Sequence, residues 1–239
     1  MVKRIGVVVA MASEAQVIIA ELFGGSEEIT EQVPYRFTSR EVEIGIVVSG
    51  IGKVNAAAAT ARLILEFAPT EVVVVGLAGS LSDDLSVGDI VIAEKVVQYD
   101  FDLRPLEPKV GQLPGRDSPY LRCDEEATTI WRKIADELCR EDNSSSRRVL
   151  LGAVATGDRI VSSRVEREAI STSFPEALCV EMESGAVAQV CQGSKVPCAV
   201  VRIISDFADD TFTVKEITRY LSHEGSRLIE RLISSLNGV

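Results

Sequence analysis

The sequence predicts one α/β domain spanning residues 1–239, built as three layers with helices on both faces of a mixed central sheet. Three observations carry this expectation. Short β-branched apolar runs, starting with Ile-Gly-Val-Val-Val-Ala at 5–10, alternate with segments of helical character along the whole chain. Hydrophobic residues make up 46% and charged residues 26%, the balance of a chain that buries a sizeable core. No internal repeat or low-complexity tract divides the 239 residues.

The elements follow in order. Ile5–Ala10 is apolar without alternation, as a strand covered on both faces requires. Ser13 with Gln16 three residues on is spaced like a capping box, so a helix through Leu22 that stops at Gly24–Gly25 is expected. Tyr35–Ser39 and Glu41–Ser49 read as an antiparallel pair turning around Arg40. After Gly50-Ile51-Gly52, the Ala- and Leu-rich run from Val54 to Phe67 is a strong helix ended by Pro69. Val72–Val75 and Ile90–Val97 are further buried strands, and Gly76-Leu77-Ala78-Gly79 reads as a glycine loop after the first of them. Four prolines and two glycines make Asp102–Tyr120 a long irregular loop, the kind that serves as a lid or a binding loop. Asp124–Cys139 is an amphipathic helix, and Glu141–Ser146 is a polar connection rather than a domain boundary. The alternation then continues through strand Val149–Ala155, a helix near Arg164–Phe174, strand Ala177–Val180 and helix Ser184–Cys191. Strand Ala199–Ile204 and a closing helix Val214–Leu236 complete it.

Composition removes several function classes. Lys and Arg total 25 against 36 Asp and Glu, a net charge of −11, which argues against a nucleic-acid partner. The opening apolar run is too short for a membrane span or a signal peptide, so no membrane association is expected. Cys123, Cys139, Cys179, Cys191 and Cys198 are scattered with no C-x-x-C pair, and read as reduced thiols of a cytoplasmic protein. The single histidine, His223, leaves no basis for a His-based metal site or a Ser-His-Asp triad. No metal or organic cofactor is expected, and any chemistry must run on carboxylates.

Glu14, Glu181, Glu183 and Asp206 each stand just past or at the end of an apolar strand. Singly, each reads as a charge favoured at a helix N-terminus. Together they gather carboxylates at one end of the sheet, where one can stay protonated while another ionises. Arg202, in an apolar strand, needs an anionic partner. Gly50-Ile51-Gly52 fails as a dinucleotide fingerprint because Asn55 stands where the third glycine belongs, and fails as a Walker loop because Val47 stands at its first position.

Six motifs occur in order: Ala-Met-Ala-Ser-Glu (10–14), Gly-Ile-Gly-Lys-Val-Asn-Ala (50–56), Gly-Leu-Ala-Gly (76–79), Val-Gly-Asp-Ile-Val (87–91), Val-Glu-Met-Glu-Ser (180–184) and Arg-Ile-Ile-Ser-Asp (202–206). In this combination the chain resembles the 5′-methylthioadenosine/S-adenosylhomocysteine nucleosidases of the nucleoside phosphorylase superfamily, over nearly its whole length. The resemblance implies a nucleoside-phosphorylase-like fold, a homodimer, and hydrolysis of an adenine N-glycosidic bond. By the same resemblance Asp206 protonates N7 of adenine and Glu14 positions or activates water, with Arg202 helping to hold the water and that carboxylate. Glu183, with Glu181 beside it, matches the carboxylate that binds the ribose hydroxyls, and Met182 packs on the sugar. Ser205 orients Asp206, Phe207 stacks on the base, and Ile160 and Val161 offer backbone contacts to its edge. Leu77, Ala78 and Gly79 stand at the family's second glycine loop, with Leu77 in place of its usual serine. Met11, Ile51 and Phe207, with the loop around Leu106 and Pro108, are expected to form an apolar 5′ pocket.

Three rivals remain beside this reading. A purine nucleoside phosphorylase would need cationic or hydroxyl donors for phosphate where Glu14 stands, a nucleosidase for aminodeoxyfutalosine would share all the chemistry, and a non-catalytic nucleoside-binding domain would have no use for Glu14.

Overall fold

A computed structural model describes residues 3–23, 30–38, 42–141 and 147–213. The expected Gly24–Gly25 stop, the turn at Arg40, most of the 141–146 connection and the closing helix Val214–Leu236 lie outside the described residues.

Among the described residues, nine strands form one mixed sheet. The first, β1 (Lys3–Val9), sits between β3 (Val42–Val48) and β4 (Glu71–Ser80), parallel to both, and β2 (Tyr35–Thr38) lies antiparallel on the outer edge of β3. Beyond β4 the sheet closes on itself. Strand β9 (Cys198–Asp206) runs parallel to β4 and antiparallel to β5 (Ile90–Gln98); β5 pairs β7 (Val149–Thr156), β7 pairs β8 (Ala177–Glu181), and β8 returns to β4 at Gly79 and Ser80. This closed ring of five strands brings the ends of β4, β8 and β9 to one place. The short β6 (Tyr120–Arg122) caps the far edge of β5.

Helices cover both faces, which is why the strands read as unbroken apolar runs. Ile5, Val7 and Val9 of β1 pack with Ile19 of α1 (Ala12–Phe23) and with Trp131 and Ile134 of α3 (Glu125–Glu141). Val8 faces the opposite layer, with Leu63 and Phe67 of α2 (Lys53–Phe67) and Val187 and Cys191 of α5 (Ser184–Ser194). Helix α4 (Arg164–Ser173) buries Ile170 in a third cluster with Val97 and Phe174. The indole of Trp131 donates to buried Glu71 at 2.9 Å, satisfying the polar end of the largest fully buried side chain.

Two local expectations change. Helix α1 begins at Ala12, so Ser13 is inside it and Met11 stands at its cap. Glu14, three residues past Met11, reaches back to the Met11 N–H at 2.9 Å and the Ala10 N–H at 3.0 Å, the carboxylate half of a capping box. Gly76-Leu77-Ala78-Gly79 is no loop either. It continues β4, held by parallel pairing to β9 as far as Gly79 opposite Asp206, with a register shift after Ala78. Its glycines answer to close approach rather than to a turn.

Candidate active site

At the end of the five-strand ring lies a cavity of about 290 Å³. Most of the residues singled out in the sequence meet there: Glu14, Glu181, Glu183, Arg202 and Asp206 with Met11, Ile51, Leu77, Ala78 and Gly79, and Met182 and Ser205 with Ile160 and Val161. Phe207 does not line it and stands 40% exposed; Phe212, six residues past Asp206, lines the wall instead. Leu106 is 79% exposed, and Pro108 borders a separate cavity, so the loop at 102–120 does not complete the pocket of its own chain. Ala10, Val180 and Arg159 also line it. Arg159 was legible only as a neighbour of Ile160.

The floor is electrostatic. Arg202 is 1% exposed, and its guanidinium lies over Gly76: a Cβ there would fall 2.3 Å from Nη1 and 3.2 Å from Oε1 of Glu14. Only glycine leaves room for both charged groups. The guanidinium donates to Ser184 Oγ at 2.9 and 3.1 Å and pairs with Glu181 at 2.5 Å and Glu183 at 3.7 Å. Burial drives the Glu14 carboxyl above its ordinary range, opposed by the Met11 and Ala10 amides and the charge of Arg202.

Glu181 and Glu183 differ in what they have left to offer. Glu181 accepts from the amides of Glu183 (2.9 Å) and Ser184 (2.8 Å), the hydroxyls of Ser184 (3.0 Å) and Thr156, and Arg202. Four of these donors converge on Oε2, and Thr156 alone meets Oε1. Glu183 accepts one backbone bond, from Gly52 at 3.0 Å. Burial and the neighbouring charge of Glu181 push its carboxyl up to about 7, against the pull of Arg202.

Asp206, last residue of β9, accepts from Ser205 Oγ at 2.7 Å and the Ala208 amide at 2.8 Å. A Cβ on Gly79 would lie 2.9 Å from its Oδ1. The Ser205 hydroxyl has a second acceptor in the Ala78 carbonyl at 3.3 Å, so it can turn away when Asp206 carries a proton. The cavity thus offers carboxylates in distinct environments around one buried cation, with apolar walls.

A closed strand ring carrying this carboxylate-lined cavity defines the class, and the chain belongs to the phosphorylase superfamily, whose family model matches residues 4–235. Within it the chain belongs with the 5′-methylthioadenosine/S-adenosylhomocysteine nucleosidases, N-glycosyl hydrolases. It is 32% identical over 236 residues to the nucleosidase of that name from Staphylococcus carnosus, covering 97% of this chain and 100% of the relative. Its fold is similar to that of the Helicobacter pylori 5′-methylthioadenosine/S-adenosylhomocysteine nucleosidase with butyl-thio-DADMe-Immucillin-A, with a TM-score of 0.86, 32% identity and 100% of both chains covered. A futalosine hydrolase of Helicobacter pylori is equally similar, with a TM-score of 0.86 and 32% identity over 100% of this chain and 99% of that one.

Proposed function

We propose that this protein hydrolyses the N-glycosidic bond of 5′-methylthioadenosine and S-adenosylhomocysteine, releasing adenine and the 5-substituted ribose. The observation that carries this reading is the buried Glu14–Arg202 pair on the cavity floor, across Gly76. In the reaction Asp206 gives a proton to N7 as the C1′–N9 bond breaks, so adenine leaves neutral. Water held by Glu14 and Arg202 adds to C1′ and yields its proton to Glu14. Glu183 takes the ribose hydroxyls and, when ionised, favours the cationic sugar in the transition state. Met182 packs on the sugar, Ile160 and Val161 address the base, and Ser205 orients Asp206. Glu181, with four donors on Oε2, serves by holding Arg202 and the start of α5.

A carboxylate where phosphate would have to bind disfavours phosphorolysis. Incubation with 5′-methylthioadenosine in phosphate-free buffer containing a chelator is expected to release adenine and free sugar. Activity only with phosphate, yielding a sugar 1-phosphate, would overturn the reading. The likeness to a futalosine hydrolase supports a second reading, in which a larger 5′ group such as that of aminodeoxyfutalosine is accepted. Comparing kcat/KM for the three nucleosides and adenosine separates them; a preference for adenosine would refute an apolar 5′ pocket.

We assign the working form as a homodimer in the cytoplasm. Leu106 (79%) and Val54 (80%) are exposed apolar side chains that a second copy would cover, and the 102–120 loop is free to complete the neighbour's pocket. The five cysteines carry no disulfide, which suits a reducing compartment. Among the described residues no helix is long and apolar enough to cross a membrane. Light scattering that returns the 25.8 kDa mass of one chain at micromolar concentration would refute the dimer.

A further inference from the structure

Glu183 owes its one backbone hydrogen bond to Gly52, and what fixes Gly52 is unusual. Gly52 caps α2 with φ at 97°, a left-handed region that favours glycine, and it has no side chain with which to tie the first turn. The cap comes from elsewhere in the chain. Asp158, two residues past the end of β7, accepts the Lys53 N–H at 2.8 Å across 105 positions of sequence. Asp158 is itself held, because its N–H donates to Asp100 Oδ2 at 2.8 Å. Asp100, two residues past β5, closes the loop by accepting from Lys53 Nζ at 2.6 Å, while Nζ also stands 3.9 Å from Asp158 Oδ2. The Lys53 side chain is only 16% exposed, so this ammonium is clamped rather than waving in solvent. Two carboxylates against the positive end of α2 suit its dipole as well.

We propose that Lys53, Asp100 and Asp158 form a positioning cluster that sets the Gly52 amide, and through it the sugar-facing carboxylate Glu183, in register with the Ile160–Val161 wall. The inference rests on the nucleosidase reading above and extends it to three residues outside the cavity. Asp158 connects the two sides directly: its side chain fixes the Gly52–Lys53 backbone, and its main chain leads two residues on to Ile160 in the cavity wall. A Cβ at Gly52 would sit 3.2 Å from Asp158 Oδ1, so glycine is also what lets the two segments meet.

The groups facing Glu183 are Glu181 from β8, Arg202 from β9, Glu14 from α1 and the Gly52 amide from α2. Of these the amide is the one that the cluster controls. If it slides away, Glu183 keeps the repulsion of Glu181 and Glu14 and loses a donor, so it holds its proton to higher pH. A protonated Glu183 binds ribose hydroxyls less well.

The test uses Asp158→Ala and Asp158→Asn in the full chain, with Glu183 followed by carbon-13 carboxyl titration and KM measured on 5′-methylthioadenosine. In Asp158→Ala the Glu183 titration is expected to move up by about half a pH unit or more, and KM to rise about tenfold with kcat changed much less. Asp158→Asn keeps an oxygen for the Lys53 amide and should recover most of both. Lys53→Gln, which removes the ammonium but not the backbone N–H, should show the same directions with smaller size and serves if Asp158→Ala does not fold. An unchanged titration and KM in a folded variant, even one with a lowered Tm, would overturn the inference. If the wild-type protein fails to cleave 5′-methylthioadenosine, the proposed function fails by itself, and the titration still decides whether the cluster positions Glu183.

Discussion

Replacing Gly76 by alanine is the sharpest probe of the cavity floor. The added Cβ would fall 2.3 Å from Arg202 Nη1, where ordinary contact begins near 3.4 Å, so the guanidinium must retreat by about 1 Å. Arg202 is 1% exposed and its donors are committed to Ser184 at 2.9 and 3.1 Å and to Glu181 at 2.5 Å, so such a retreat pulls it off those partners. Uncoupling one member of a buried ion pair costs ~3–5 kcal/mol. For a domain of this size each kcal/mol lowers Tm by ~2–4 °C, so a fall of roughly 6–20 °C is expected. Thermal denaturation with Gly193→Ala as reference measures it. Gly193 lies in α5 with nothing within 4 Å of a built Cβ, and alanine there should stabilise by ~0.5–1 kcal/mol. A Gly76→Ala protein as stable as wild type, with its turnover intact, would refute the placement of Arg202.

Asp206→Asn should keep the fold and lose turnover by a factor on the order of 10², because the amide can hydrogen-bond N7 but cannot deliver a proton; a near wild-type rate would remove Asp206 from the acid role. Glu14→Gln should bind nucleoside, as measured by isothermal titration, yet release no adenine in a product assay; retained turnover would mean that water is handled elsewhere. Glu183 titrates near 7 against an ordinary 4.5, so the fold favours its protonated form; the stability this brings is complete below pH 4.5 and lost as pH rises through about 7. At about 1.4 kcal/mol per unit that gap is worth about 3 kcal/mol. The ligand-free wild type should therefore lose stability between pH 4.5 and 7.5 relative to Glu183→Gln in urea titrations, and a pH-independent difference would contradict the burial of that carboxyl.

Strand runs such as Val72–Val75 and Ile90–Val97 were legible because both faces of the sheet are covered, so apolar character alone marked them. Closure of β4, β9, β5, β7 and β8 into a ring was not legible, since it depends on a two-residue pairing at Gly79 and Ser80 and on an antiparallel β5–β9 contact. The same cause hid the nature of residues 76–79. Two glycines three residues apart suggest a turn, yet here they are spaces cut into a strand for Arg202 and Asp206, whose approach belongs to a chain segment more than a hundred residues away. Phe212 was missed for a related reason: it lies in irregular backbone, where no periodicity indicates which side chain turns inward.

Glu181 and Glu183 show most plainly where sequence stops and geometry takes over. Two residues apart, of one type and flanking one methionine, they are indistinguishable by composition. The strand ends at Glu181 and the helix begins at Ser184, so Glu181 faces both the new helix's free amides and Arg202, and its Oε2 gathers four donors. Glu183 caps the same helix with backbone bent out of the strand, and its side chain turns toward α2, where a single amide waits. Its crowded donors keep Glu181 tied to the frame, while burial and the charge of Glu181 lift the proton affinity of Glu183 into the neutral range. Of the two, Glu183 carries the fewer donors and so has the more lone pairs left with which to meet a sugar hydroxyl.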